Sequence, residues 1–320
     1  MPSILTRLND FKDGISSIKF SPVEKDHLLI GSWDNGLKLV KATEEQHCLQ
    51  SYPVSNPVLT VGYLNATTAF AGSLEGLVHL VDIPSGTHLV IGKHGKGVSC
   101  TANIQESDCF VTGSWDQSFQ LWDARQKNAI DKRFIEKKIL AASSAFNILV
   151  FGCTERENLV YDIRNLKMPF QRKPSTFKYM TRDVCCLPGA EGFVSSSIEG
   201  RTSVEYLNPS PEWQIKNFTF KCHRQIQQQH DIVYPVNSLA FHPIHQTLAT
   251  AGGDGSVAFW DIQVRKRLRV LYPSKTNVSS VAFNFDASLL SVATCAQDEA
   301  NGNVYIYALE SDFASPKKST

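Results

Sequence analysis

The sequence predicts an all-β fold, a seven-bladed β-propeller closed by a strand from the N-terminus, on three observations. An apolar octet recurs along the chain, each copy is followed by the same run–turn–run pattern, and the one surplus strand at the start matches a missing strand at the end. The octet Val236 to Pro243 (VNSLAFHP) returns as Ile15 to Pro22 (ISSIKFSP), Val58 to Asn65 (VLTVGYLN), Val98 to Gln105 (VSCTANIQ), Val184 to Glu191 (VCCLPGAE) and Val278 to Phe285 (VSSVAFNF). Taken in chain order, the starts lie 43, 40, 86, 52 and 42 residues apart, and the 86 hides one degenerate copy.

Seven units of about 40 to 45 residues have the period of a WD40 blade. Within a unit, alternating apolar positions mark twisted antiparallel strands. The turn pattern is Ser32-Trp33-Asp34-Asn35-Gly36 in the first unit and Ser114-Trp115-Asp116-Gln117-Ser118 in the third. It returns as Ser73-Leu74-Glu75-Gly76, Ser197-Ile198-Glu199-Gly200 and Gly253-Asp254-Gly255-Ser256. A tight hairpin needs positive φ and a side-chain acceptor for its N–H groups, which an acidic residue next to glycine supplies.

The hidden fourth unit is placed at Ala141 to Phe146, Ile148 to Gly152 and Leu159 to Asp162. The seventh supplies only Ser279 to Phe285, Ser288 to Thr294 and Asn303 to Ala308. Ser3 to Leu8 completes it, which removes an open sheet edge. A closed ring is one unit, so residues 1–312 are expected to form a single propeller, followed by a short basic tail over 313–320.

Of 320 residues, 32 are basic and 31 acidic, a net charge of +1 that gives no general attraction for nucleic acid or an anionic membrane. No apolar run approaches a membrane span, and Arg7, Asp10 and Lys12 interrupt the place of a signal peptide, so the chain reads as intracellular. Cys100, Cys109, Cys153, Cys185, Cys186 and Cys295 lie in apolar strands as small hydrophobes, and Cys48 in a looser stretch. The familiar nucleophile, phosphate-loop, dinucleotide and zinc motifs are missing, so no enzyme, cofactor or metal is expected. Cys222-His223 is too small a set for a zinc site. His94, Asp116 and Trp122 are expected to brace a blade.

With the repeats placed, Lys12 to Pro22, the two Ser-Trp-Asp turns, Ser196-Ser197-Ile198-Glu199-Gly200-Arg201 and Phe218-Thr219-Phe220-Lys221-Cys222-His223-Arg224 stand out together with Tyr234 to Asn237. The chain closely resembles the kinase-binding WD40 propellers of the spindle assembly checkpoint, the budding-uninhibited-by-benzimidazole family, over essentially its whole length. The mRNA-export propellers that dock on a nucleoporin share the Ser-Ile-Glu-Gly-Arg and Phe-Lys-Cys-His-Arg signatures. Asp13 to Ser17 and Glu205 to Pro211 favour the checkpoint branch, while Asn217 to Phe220 and Phe241 to Pro243 suit either.

The resemblance implies an adaptor, nuclear and kinetochore-bound in mitosis, that reads two clients on its top face. One is a short Glu-containing segment of a checkpoint kinase and of its pseudokinase-type relative. The other is a phosphorylated Met-Glu-Leu-Thr-type repeat of a kinetochore scaffold. Trp33 and Trp115 suit a peptide platform, because indole combines apolar area with an N–H donor; bracing of neighbouring turns is the alternative. Arg201 is expected to take a client glutamate or phosphate, or else to be a solvated strand charge. Lys221 and Arg224 are the candidate phosphate contacts, beside an inserted Gln-rich stretch from Gln225 to Asp231. Arg182 reads either as a further contact or as half of an internal ion pair. An RNA-binding adaptor is the rival from another class, resting on Lys132, Arg133, Lys137 and Lys138. In the tail, Ser315-Pro316-Lys317-Lys318 resembles a target of proline-directed kinases.

Overall fold

Each repeated octet becomes the innermost strand of a four-stranded antiparallel blade, where small and apolar side chains alternate between its two packed faces. The structure is a computed structural model and describes residues 2–44, 48–104, 107–227, 230–295 and 301–316. Gln105, at the end of the third octet, lies outside them, as do residues 228–229 of the Gln-rich stretch and Lys317 and Lys318 of the tail.

From the inside outward, blade one comprises Ile15–Phe20, His27–Ser32, Gly36–Lys41 and Cys48–Pro53, and blade two Val58–Tyr63, Thr68–Ser73, Leu77–Asp82 and Thr87–Lys93. Blade three is Val98–Asn103, Cys109–Ser114, Ser118–Asp123 and Asn128–Phe134. Blade four is Ile139–Ala145, Ile148–Cys153, Glu157–Asp162 and Gln171–Pro174. Blade five is Thr181–Cys186, Gly192–Ser197, Arg201–Tyr206 and Phe218–Lys221. Blade six is Val236–Phe241, Leu248–Gly252, Val257–Asp261 and Lys266–Leu271. Blade seven joins Asn277–Phe283, Leu289–Cys295 and Gly302–Ala308 to the N-terminal strand Ser3–Leu8.

The ring closes as expected. Ser3 pairs with Ala308 and Leu8 with Val304, while the innermost strand of blade seven packs against that of blade one. Apolar clusters fill the junctions between blades, such as Phe119, Ile139, Phe151 and Tyr161 between blades three and four. Burying these faces against one another is the main stabilising term.

Two expectations are corrected. Ladder register makes Ile139 and Thr181 the equivalents of Ile15, Val58, Val98, Val236 and Val278, so units four and five begin there and not at Ala141 and Val184. A threonine at an otherwise apolar position disguised the fifth start. The tail also begins later than 313: Phe313 and Ala314 are each 1% exposed, Phe313 stands edge-on to Phe259 at 5.0 Å, and Thr247 Oγ1 donates to the Ala314 carbonyl at 2.9 Å. An aromatic side chain next to an apolar cleft gains more by burial than by hydration. The insertion before blade six forms a separate two-stranded hairpin, Arg224–Ile226 with Asp231–Val233. Among the described residues no helix is long and apolar enough to cross a membrane.

Candidate functional site

The face carrying the turns between second and third strands is built by one repeated hydrogen bond. The N–H of the first turn residue reaches the carbonyl just before the innermost strand: Trp33 to Gly14 (2.9 Å), Leu74 to Pro57 (2.9 Å), Trp115 to Gly97 (3.1 Å), Thr154 to Lys138 (3.0 Å), Ile198 to Met180 (3.2 Å) and Gly253 to Pro235 (2.9 Å). These side chains therefore form a ring of equivalent positions on one face. Trp33 lies over Gly14, and Trp115 lies so close to Gly97 that an added Cβ would stand 3.0 Å from its ring. Trp33 is 41% exposed and Trp115 half-buried, and among the described residues neither indole N–H has an acceptor.

All seven innermost strands carry a register shift near their start, immediately after the first residue in blades one to six and after Val278, the second residue, in blade seven. A bulge re-aims the extra side chain, and here the seven line the mouth of the central channel, a cavity of about 610 Å³ that Trp33, Trp115 and Met180 also border. Six are Ser16, Leu59, Ser99, Leu140, Asn237 and Ser279; the seventh is Arg182, the single charge in the set. Arg182 is exposed and donates from Nε to Asn237 Oδ1 at 3.2 Å; among the described residues no ion pair joins it to Asp183. Asp183 points inward; burial raises its carboxyl, against hydrogen bonds from the Leu239 and Val184 N–H groups and the charge of Arg182, which help to lower it. The signal in the sequence was the second position of each unit, hidden while the fifth start was misplaced.

On blade five, Arg201 stands directly opposite Lys221 on the neighbouring strand. Side chains directly across an antiparallel pair share a face, so two like charges are held side by side, an arrangement that disfavours the fold. Among the described residues neither has a carboxylate partner. Arg224 is committed elsewhere: Nη2 donates to the Glu199 carbonyl at 2.8 Å, Nε to the Gly200 carbonyl at 3.3 Å, and Nη1 lies 3.9 Å from Asp231. It braces the turn that presents Arg201. The structure thus groups Trp33 with Trp115 and Arg182 at the mouth, and Arg201 with Lys221 further out.

The expected brace in blade three is present. His94 Nδ1 meets Asp116 Oδ2 (3.3 Å) and Ser118 Oγ (3.2 Å), its Nε2 meets Thr112 Oγ1 (2.7 Å), and Trp122 Nε1 donates to the same hydroxyl at 2.8 Å. Burial pulls the His94 pKa down against the pull of Asp116. Burial would raise Asp116, but bonds from Ser118 and the Gly95 N–H hold it below the usual range. A second complete brace was not anticipated: His223 contacts Asp254 (2.8 Å), Ser256 (3.1 Å) and Thr250 (2.9 Å), to which Trp260 Nε1 also donates at 3.0 Å. This use of His223 explains its place beside the buried Cys222.

The basic stretch weighed for RNA is largely neutralised. Arg133 pairs with Asp131, Lys137 with Glu155 and Glu157, and Lys132 lies over Phe134 and 4.0 Å from Asp116. Among the described residues no group of three or more His, Cys, Asp or Glu could hold a metal ion, and all eight cysteines are free.

Fold and braces together define a WD40 propeller, and the family model for the WD domain, G-beta repeat, matches residues 86–123 and 218–261, the segments that hold the two braces. The chain is 62% identical over 312 residues, 98% of each chain, to the spindle assembly checkpoint protein bub3 of Schizosaccharomyces pombe. It is 36% identical to the mitotic checkpoint protein bub3 of Dictyostelium discoideum, covering 88% of this chain and 86% of that one. Protein Rae1 of Drosophila melanogaster is more distant, at 30% over 96% of this chain and 89% of its own. The chain belongs to the Bub3 family of mitotic checkpoint proteins.

Proposed function

We propose that this chain is a non-enzymatic adaptor of the spindle assembly checkpoint, acting in the nucleus and at kinetochores in mitosis. The observation that carries the reading is a recognition face with unspent chemistry among the described residues: two indole N–H groups without acceptors at one channel mouth, and the uncompensated Arg201–Lys221 pair beside it. The tryptophans would hold a Glu-containing segment of a checkpoint kinase or its pseudokinase-type relative, with Arg182 facing a glutamate. Arg201 and Lys221, supported by Arg224, would take the phosphothreonine of a Met-Glu-Leu-Thr-type scaffold repeat, because two adjacent cations match a group of about −1.5 to −2 charge. Its place opposite Lys221 supports reading Arg201 as a phosphate contact in preference to a glutamate contact. A role in mRNA export is the second reading; the gap between 62% and 30% identity favours the checkpoint.

The test is a set of binding curves for phosphorylated and unmodified scaffold repeats, at two salt concentrations, with wild type, Arg201→Glu and Lys221→Glu. Charge-assisted bonds of about 1.5–3 kcal/mol predict a preference for phosphate on the order of tenfold to a hundredfold, lost in both variants and weakened by salt. Equal affinity of wild type for both repeat forms overturns the phosphate assignment.

A further inference from the structure

The junction between blades four and five carries an amide at one repeated position. The residue opposite the end of the second strand is Leu37 in blade one, Val78 in blade two, Phe119 in blade three, Val257 in blade six and Val304 in blade seven, each fully buried, while blade five has the buried Thr202, whose hydroxyl meets Cys222 Sγ at 3.3 Å. In blade four it is Asn158, opposite Gly152 and also fully buried. A Cβ at Gly152 would stand 3.0 Å from Thr181 and Val184 of blade five, so this face, and Asn158 with it, looks into the junction.

The facing surface is polar as well. Ser195 lies two residues from Phe193, which packs with Val160 in this junction, so strand alternation turns Ser195 toward blade four. Asn158 Nδ2 and Oδ1, Thr181 Oγ1 and Ser195 Oγ have no hydrogen-bond partner within the protein among the described residues. Lys173, directly across from Asn158, reaches over with Nζ to the Tyr206 carbonyl at 2.8 Å, and the buried Glu205 lies on the Ser195 face. Burial lowers the Lys173 ammonium and raises the Glu205 carboxyl, and their charges cancel.

We infer that a small cluster of ordered water binds between blades four and five, joining Asn158 to Thr181 and Ser195. A buried polar atom left without a partner costs about 1–3 kcal/mol, so four together call for a ligand. The ligand must donate to Oδ1, accept from Nδ2, and serve two hydroxyls at a junction without net charge. Water meets all four demands, roughly two molecules being sufficient at two to four bonds each.

The experiment is a crystal structure of the whole chain at a resolution that shows ordered solvent, joined with water-to-amide magnetisation transfer at Gly152, Thr181 and Ser195 in solution. Ordered solvent bonded to Asn158 and long-lived transfer at these amides are expected. A dry contact, or density of an ion or organic molecule, overturns the inference. Asn158→Leu, which copies blade one, should abolish the transfer and leave the melting temperature unchanged or higher; transfer persisting at wild-type strength also overturns it. Should that variant fail to fold, Ser195→Ala gives the same reading through a weaker transfer signal.

Discussion

Trp122 and Trp260 differ from Trp33 and Trp115 in where the indole N–H goes. The first pair donates to Thr112 and Thr250 inside a blade, at 2.8 and 3.0 Å, where each threonine also serves a histidine. The second pair rests on glycines at the channel mouth, and among the described residues its N–H groups are unspent. An indole N–H turned into the blade must find its acceptor there, whereas one at the rim keeps it for a partner. Residue type alone says nothing of which role a tryptophan has; the acceptor within reach decides it.

The sharpest way to break the comparison is stability. Trp122→Ala should cost about 3–5 kcal/mol by chemical denaturation, as for a large side chain removed from a packed interior, while Trp33→Ala should remain within about 1 kcal/mol of wild type. Similar losses at both sites would erase the distinction.

Histidines extend it. His94 sits in a brace, but His79, 2% exposed, has neither ring nitrogen hydrogen-bonded among the described residues, and burial together with nearby His88 lowers its pKa to about 4. Between the ordinary histidine range near 6.5 and about 4, the unfolded chain binds a proton that the folded chain refuses, so stability falls across that window and levels off below it. The loss is roughly 3 kcal/mol at one His79, and His79→Phe should remove that part of the acid slope in urea titrations. An unchanged slope in the variant would refute it.

Smaller per residue, and in binding instead of folding, is the effect at the mouth. Trp33→Ala with Trp115→Ala should cost about 2 kcal/mol or more per residue in affinity for a Glu-containing kinase segment, with circular dichroism unchanged. Calorimetry showing wild-type affinity would return both tryptophans to the role of turn braces.

Much of the fold was legible because its determinants are local. Period-two alternation and turn chemistry act over a few residues, so the octets, the Ser-Trp-Asp turns and the spare strand Ser3–Leu8 could be read directly. The His94–Asp116–Trp122 brace was legible through its residue types. Its counterpart around His223 was not, since Asp254 and Trp260 lie beyond an inserted hairpin.

By itself the sequence determined a seven-unit ring and a set of candidate tryptophans and cations, because repeats and hairpins are specified by neighbours along the chain. Only the tertiary structure decided how those candidates group. Ladder register set Arg201 against Lys221 across an intervening helical turn at Pro211–Gln214, the bulge turned Arg182 into the mouth, and the Glu199 and Gly200 carbonyls claimed Arg224. Phe313, read as the start of a tail, was drawn into the cleft beside Phe259. Each outcome depends on contacts between segments far apart in sequence, where side-chain direction and the nearest available partner set the result and local pattern carries no record of either.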